Sequence, residues 1–221
     1  MAPRFAWLDL LLPACCAGCG RTGGPLPLCA RCTVPTEDPL ADRAPPSPLH
    51  GWCAAVRYES SAGEDWVRRF KYPEPGLRGL DPAAEAVAAA WIRHAAAEIP
   101  WPRPDQVVPI PLHPRRLRAR GFSPPALLAR EVARAWGAPF APRALARIRD
   151  TPSQTGLSRR ERRLNVAGAF RATAPAPRRV WLVDDVVTTG ATLVSAAHAL
   201  RKAGAREVRA VCLAWRPETW N

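Results

Sequence analysis

The sequence predicts an α/β domain, a parallel β-sheet flanked by helices, preceded by a small cysteine-bearing module. Three observations carry this expectation. Val180 to Val183 is a short apolar run that ends on Asp184 and Asp185, and Leu193, Ala196, Ala197 and Leu200 follow at helical spacing. That order reads as a buried strand, a turn and a helix. Val107 to Pro111 is a second run of the same kind, and helix signals alternate with such runs along the chain. Alternation of this sort favours parallel strands joined by right-handed crossovers. The length of 221 residues suits one such domain plus an appendage.

Taken in order, residues 1–34 form the module, 35–50 a linker and 51–221 the main domain. The first segment carries Cys16-Ala-Gly-Cys19 and Cys29-Ala-Arg-Cys32, two C-x-x-C turns with nine residues between them. Two such turns can supply a closed tetrahedral four-thiolate site that suits structural Zn²⁺. A disulfide pair or a redox pair is the alternative reading. The apolar stretch before Cys15 is broken by Asp9 and Pro13 and is too short for a secretory signal. No segment approaches a membrane span, so the expectation is a soluble, cytoplasmic protein without membrane insertion. Pro35, Pro39, Pro45, Pro46 and Pro48 mark the linker as extended.

In the main domain, Trp52 to Tyr58 reads as a strand. Asp81 and Pro82 supply an N-cap and a first-turn proline for a helix ending near Glu98. Ser123, Pro124 and Pro125 open another helix, to about Trp136. Ser158 and Glu161 make a capping box for a short arginine-rich helix. The helix after Thr192 ends at Gly204, with Arg201 and Lys202 at the negative end of its dipole. Val208 to Ala214 closes the sheet. Cys53 and Cys212 sit in apolar runs and read as buried thiols.

The turn between the signature strand and its helix carries the chemistry. In open α/β sheets ligands bind where strands end. The first-turn amides of a helix lack helical partners and, with the dipole, attract an anion. Thr188, Thr189 and Thr192 add hydroxyl donors, Ala191 leaves its amide accessible, and Gly190 permits positive φ and close approach. Asp184 and Asp185 would repel phosphate, but they can accept hydrogen bonds from sugar hydroxyls or share a Mg²⁺. Phosphate donors beside hydroxyl acceptors point to a ribose 5-phosphate. This turn resembles the phosphoribosyl-pyrophosphate (PRPP) motif of type I phosphoribosyltransferases, with Trp181 where a smaller aliphatic residue is usual. There is no G-x-x-x-x-G-K-[ST] sequence, so a P-loop is excluded. The G-x-G-x-x-G match at Gly18, Gly20 and Gly23 follows no strand.

The positive charge is concentrated. Arginines number 30 against two lysines, and Trp101 to Arg171 holds 15 of them against four acids, or +11 of the net +13. The partner of such a region is anionic: a pyrophosphate, a nucleotide or a nucleic acid. At the end of the Val107 strand, His113, Arg115, Arg116, Arg118 and Arg120 read as a second anion-binding loop, suited to a leaving pyrophosphate. The polar segment from Thr151 to Asn165 reads as a loop able to close over substrate.

These segments and the cysteine pairs resemble the ComF/GntX family of bacterial phosphoribosyltransferase-like proteins. The carrying residues are Cys16, Cys19, Cys29, Cys32, Pro109, Pro111, His113, Arg116, Arg120, Gly121, Phe122, Thr151, Gln154, Leu157, Arg162, Asn165 and Val183 to Thr192. After Gly121-Phe122 the family has Asn-Gln where this chain has Ser123-Pro124. The resemblance implies a type I phosphoribosyltransferase-like sheet and a small zinc-ribbon-like module. It implies PRPP or another ribose 5-phosphate ligand with Mg²⁺, and a role in DNA uptake during natural transformation alongside competence-machinery proteins. Two functions follow. One is an enzyme transferring phosphoribosyl to an acceptor with release of pyrophosphate. The other is a non-catalytic protein that keeps the pocket and binds partners or single-stranded DNA through its arginines and nine tryptophans.

Overall fold

A computed structural model describes residues 16, 45–59, 63–72, 81–151 and 159–216. Cys19, Cys29 and Cys32 lie outside the described residues, as do Gln154, Leu157 and the capping residue Ser158. Strand β1 (Gly51–Arg57) leads to helices α1 (Gly63–Lys71) and α2 (Pro82–Glu98), and then to β2 (Gln106–Pro109). Helices α3 (Pro114–Arg120) and α4 (Pro124–Trp136) follow, then β3 (Leu145–Arg147), α5 (Arg159–Val166) and β4 (Phe170–Ala172). The chain finishes with β5 (Arg179–Val187), α6 (Ala191–Lys202) and β6 (Glu207–Trp215).

Four strands form one parallel sheet in the order β1-β6-β5-β2. β6 is therefore an interior strand rather than the last rib of the sheet. Its burial pattern explains the placement: from Ala210 to Trp215 every residue is buried, as expected of a strand covered on both faces. Side chains alternate across the sheet. Trp181 and Val183 enter a core with α1, α2 and α4, whereas Val180 and Leu182 enter a second core with α6. Trp181, unusual for its position, is the centre of an aromatic cluster. Trp101 and Trp136 meet it edge to face at 5.3 and 4.5 Å between ring centroids. The extra volume of the indole is filled by partners, not squeezed.

Local signals place the helices where the residues dictate. Asp81 caps α2 by accepting from Ala83 N–H at 2.9 Å and Ala84 N–H at 3.2 Å. Ser123 caps α4, accepting from Ala126 N–H at 3.4 Å, with Pro124 and Pro125 in its first turn. The Ser123-Pro124 departure thus builds a helix start. Leu49 and His50, at the end of the proline-rich stretch, are docked. Leu49 is buried, and His50 N–H donates to the Val208 carbonyl at 2.8 Å. Cys16, Cys53 and Cys212 are all buried. Burial pushes the Cys53 thiol up to about 12.

Four elements were not anticipated. α1 buries Trp66, Val67 and Phe70 along one stripe. β3 and β4 pair antiparallel outside the main sheet. The arginine segment after His113, read as a loop, is instead helix α3, capped by the His113 ring and ended by Gly121 at φ 82. Proline at its first position and a left-handed glycine just past its end are strong helix boundaries that outweighed the charge repulsion between its four arginines. Among the described residues no helix is long and apolar enough to cross a membrane.

Candidate functional site

β5 carries its two acids to the carboxyl end of the sheet, and the chain then turns into α6. Gly190 is the N-cap, at φ 69 and ψ 1, a left-handed conformation that suits glycine. As a glycine the N-cap has no side chain to cap the helix, and the first turn borders the space above the sheet. That space is a cavity of about 1000 Å³, and Asp184, Asp185 and the whole turn Thr188–Thr192 line it. Thr189 Oγ1 accepts from Ala191 N–H at 3.4 Å, and Arg162 donates to Thr188 Oγ1 at 3.3 Å.

The acids are held by their own backbone. Asp185 N–H donates to Asp184 Oδ1 at 2.9 Å, and Val186 N–H donates to Asp185 Oδ1 at 2.7 Å. Asp184 is 8% exposed. Burial, reinforced by the neighbouring Asp185 charge, raises its carboxyl well above the usual carboxylate range. Lys71, another lining residue, places its Nζ 3.1 Å from Asp185 Oδ1. Burial works against the charged form of Lys71, but Asp185 and Asp184 outweigh it and hold the ammonium above the ordinary lysine value.

The lining is also basic. Arg116 and Arg120 are one helical turn apart on α3, so both reach the cavity. Arg116 donates to the Thr151 carbonyl at 2.7 Å, and Arg120 lies over the Tyr72 ring at 5.1 Å. Arg147 donates to Thr151 Oγ1 and packs over Phe170. Its guanidinium is lowered from its usual value by burial and then by Arg116. The cavity therefore presents cations, a helix N-terminus and a pair of carboxylates. Anionic groups and hydroxyls are both accommodated.

The matching family is informative at this point. A sequence model of the phosphoribosyl transferase domain matches residues 126–221. DNA utilization protein YhgH of Salmonella typhi is 39% identical over 113 residues, 51% of this chain and 50% of that protein. Competence protein F of Haemophilus influenzae is 36% identical over 110 residues, 48% of each chain. The chain thus spans about half the length of the curated relatives it matches. A glutamine PRPP amidotransferase from B. subtilis aligns over 66% of this chain and 30% of its own, at 21% identity and a TM-score of 0.44.

Within the matched region the structure brings together Asp184, Asp185, Thr188, Thr189, Gly190, Ala191 and Thr192. From upstream of it come Arg116 and Arg120. His113 and Arg115 do not line the cavity. The His113 ring accepts from Arg115 N–H at 3.4 Å and lies 3.4 Å from Asp150 Oδ1. Arg115, whose side chain is 75% exposed, reaches the other Asp150 oxygen at 3.3 Å. These two residues join α3 to the end of the β3 segment. Sequence reading missed Lys71, Arg147 and Tyr72. Lys71 is one of only two lysines among 32 basic residues, a rarity that could have singled it out.

The all-oxygen donor set of Asp184 and Asp185 suits a hard cation such as Mg²⁺. Asp185, however, already holds an ammonium. Among the described residues no cluster of three or more histidine, cysteine or acidic side chains is poised for a metal.

Proposed function

We propose that this protein binds PRPP and transfers its phosphoribosyl group to an acceptor, releasing pyrophosphate. The observation that carries the reading is one cavity holding a helix N-terminus, two carboxylates and a basic wall. Thr188 to Thr192 receive the 5-phosphate, and Asp184 and Asp185 accept from the ribose hydroxyls. Arg116 and Arg120 face the pyrophosphate, and Mg²⁺, when bound to that pyrophosphate, spreads its charge. The bond from the sugar carbon to pyrophosphate breaks as the acceptor bonds to the same carbon. Fixed charges would stabilise the separating ions without a protein nucleophile. Isothermal titration with Mg·PRPP tests the binding step. Saturable heat at submillimolar ligand, weakened at least tenfold in Asp185→Asn, is expected. Absence of heat at millimolar ligand, or unchanged binding in the variant, overturns it. Release of pyrophosphate with a panel of nucleobases then tests transfer.

Names of the relatives support work in uptake or use of external DNA, with competence-machinery proteins as partners. A non-catalytic reading is favoured by the outward arginines such as Arg115. In that case salt-dependent binding of single-stranded oligonucleotides is expected without turnover. For the N-terminal module we propose structural Zn²⁺ on Cys16, Cys19, Cys29 and Cys32. Elemental analysis of purified protein should find one zinc per chain. Its absence from protein purified without chelator rejects the site.

A further inference from the structure

We infer that Lys71 is the built-in counter-ion of the acid pair, so that a ribose phosphate seats against Asp184 and Asp185 without a metal ion held by those carboxylates. The inference rests on the reading of the cavity as a phosphoribosyl site. Lys71 ends α1, and its Nζ is 3.1 Å from Asp185 Oδ1. The same oxygen accepts from Val186 N–H at 2.7 Å, so Oδ1 of Asp185 already serves two donors and a metal ion on this carboxylate would sit close to the ammonium. The two side chains are 21% and 13% exposed, which leaves little water to screen a second cation.

Nor is the lysine free to swing aside with its helix. Trp66, Val67 and Phe70 anchor α1 in the core. Arg69, two residues before Lys71, is tied to Asp81 Oδ2 through Nε at 3.0 Å and Nη2 at 2.8 Å. An ammonium has three N–H donors and no acceptor. One serves Asp185, and the remainder can meet ligand oxygens, including ribose hydroxyls in their accepting role. Lys71 is thus a positioning and charge-balancing residue. The requirement for a metal is confined to the pyrophosphate end of the ligand.

Two measurements test this. The first uses Mn²⁺ alone, followed by electron paramagnetic resonance of the free ion. Wild type should bind it at least tenfold more weakly than Lys71→Met, and the gained site should vanish in Lys71→Met/Asp185→Asn. Equal Mn²⁺ affinity in wild type and Lys71→Met, lost in Asp185→Asn, overturns the inference. Should Lys71→Met fail to fold, tight Mn²⁺ binding by wild type that Asp185→Asn abolishes is by itself decisive against it. The second uses ribose 5-phosphate, which carries no pyrophosphate to chelate metal. Wild-type affinity should agree within twofold in EDTA and in Mg²⁺. That of Lys71→Met should fall at least tenfold in EDTA and recover with Mg²⁺, while Lys71→Arg behaves as wild type. A tenfold loss for wild type in EDTA is the contrary result. If ribose 5-phosphate binds wild type in neither buffer, the phosphoribosyl reading fails, and the Mn²⁺ experiment still decides the role of the lysine.

Discussion

Removing Lys71 should cost more than removing the acid it faces, and the difference can be worked out from the geometry. At the 3.1 Å separation of Lys71 Nζ and Asp185 Oδ1, an effective dielectric of about 20 gives a gross attraction of roughly 5 kcal/mol. Desolvation cancels much of this, and losing one partner of a buried pair typically costs about 3–5 kcal/mol. The lysine side chain keeps 21% of its exposure, which discounts that range to about 2–4 kcal/mol for Lys71→Met. In that variant Asp185 loses its ammonium partner beside Asp184. Asp185→Asn is milder, about 1 kcal/mol, because it also removes the like charge beside Asp184 and leaves Lys71 a remaining carboxylate. The two changes together should cost less than their sum by about 1–2 kcal/mol. Urea unfolding is the proper assay, since guanidinium chloride would screen the pair. Additivity within about 0.5 kcal/mol would falsify the assignment of a net coupling to this pair.

Further outcomes follow from the same structure. Gly190→Val forces a β-branched residue into φ 69, so a loss of about 1–2 kcal/mol is expected. Ribose 5-phosphate affinity should fall at least tenfold, and titration beside thermal melting checks both. Asp81→Ala removes the α2 cap and the Arg69 partner, for a loss of about 1–2 kcal/mol read by urea unfolding. Burial alone would raise the Asp81 carboxyl, but the Ala84 amide and Arg69 hold it below its ordinary value. Its stabilisation is therefore present above the unfolded pKa near 4 and lost as pH falls through the lower folded value, narrowing the gap between variant and wild type. Asp184 has the opposite sign. Its raised folded-state value means that stability is lost as pH rises, so the melting temperature of Asp184→Asn relative to wild type should climb from pH 5 to pH 9. A flat difference across that range would reject the burial of this acid.

Much of the fold was legible because its boundaries are local. Asp81-Pro82 and Ser123-Pro124 announce helix starts with side chains that satisfy their own backbone, and both helices begin there. The acid pair and the threonine turn lie on contiguous residues, so one strand and one helix bring them to the cavity together. What escaped is non-local or short. β6 reads as the last strand in sequence, yet its place between β1 and β5 depends on pairings with residues about 30 and 160 positions away. β3 and β4 have three residues each, too few to show a period. The contiguous arginines of α3 look equivalent in sequence. Only helical spacing separates Arg116 and Arg120, which face the cavity, from Arg115, which meets Asp150. Lys71 was hidden by a helix whose apolar stripe is only three residues long.

The strand order has a practical corollary for work on the chain. A fragment beginning at residue 126, where the family match begins, keeps β5 and β6 but forfeits β1 and β2, the two strands that flank them. Both margins of the remaining ribbon would then offer unpaired amides and carbonyls along apolar backbone, an invitation to self-association. Such a truncation would also discard Lys71, Arg116 and Arg120. Minimal expression of the matched region is therefore expected to yield aggregate, whereas starting upstream of Gly51 preserves the whole sheet.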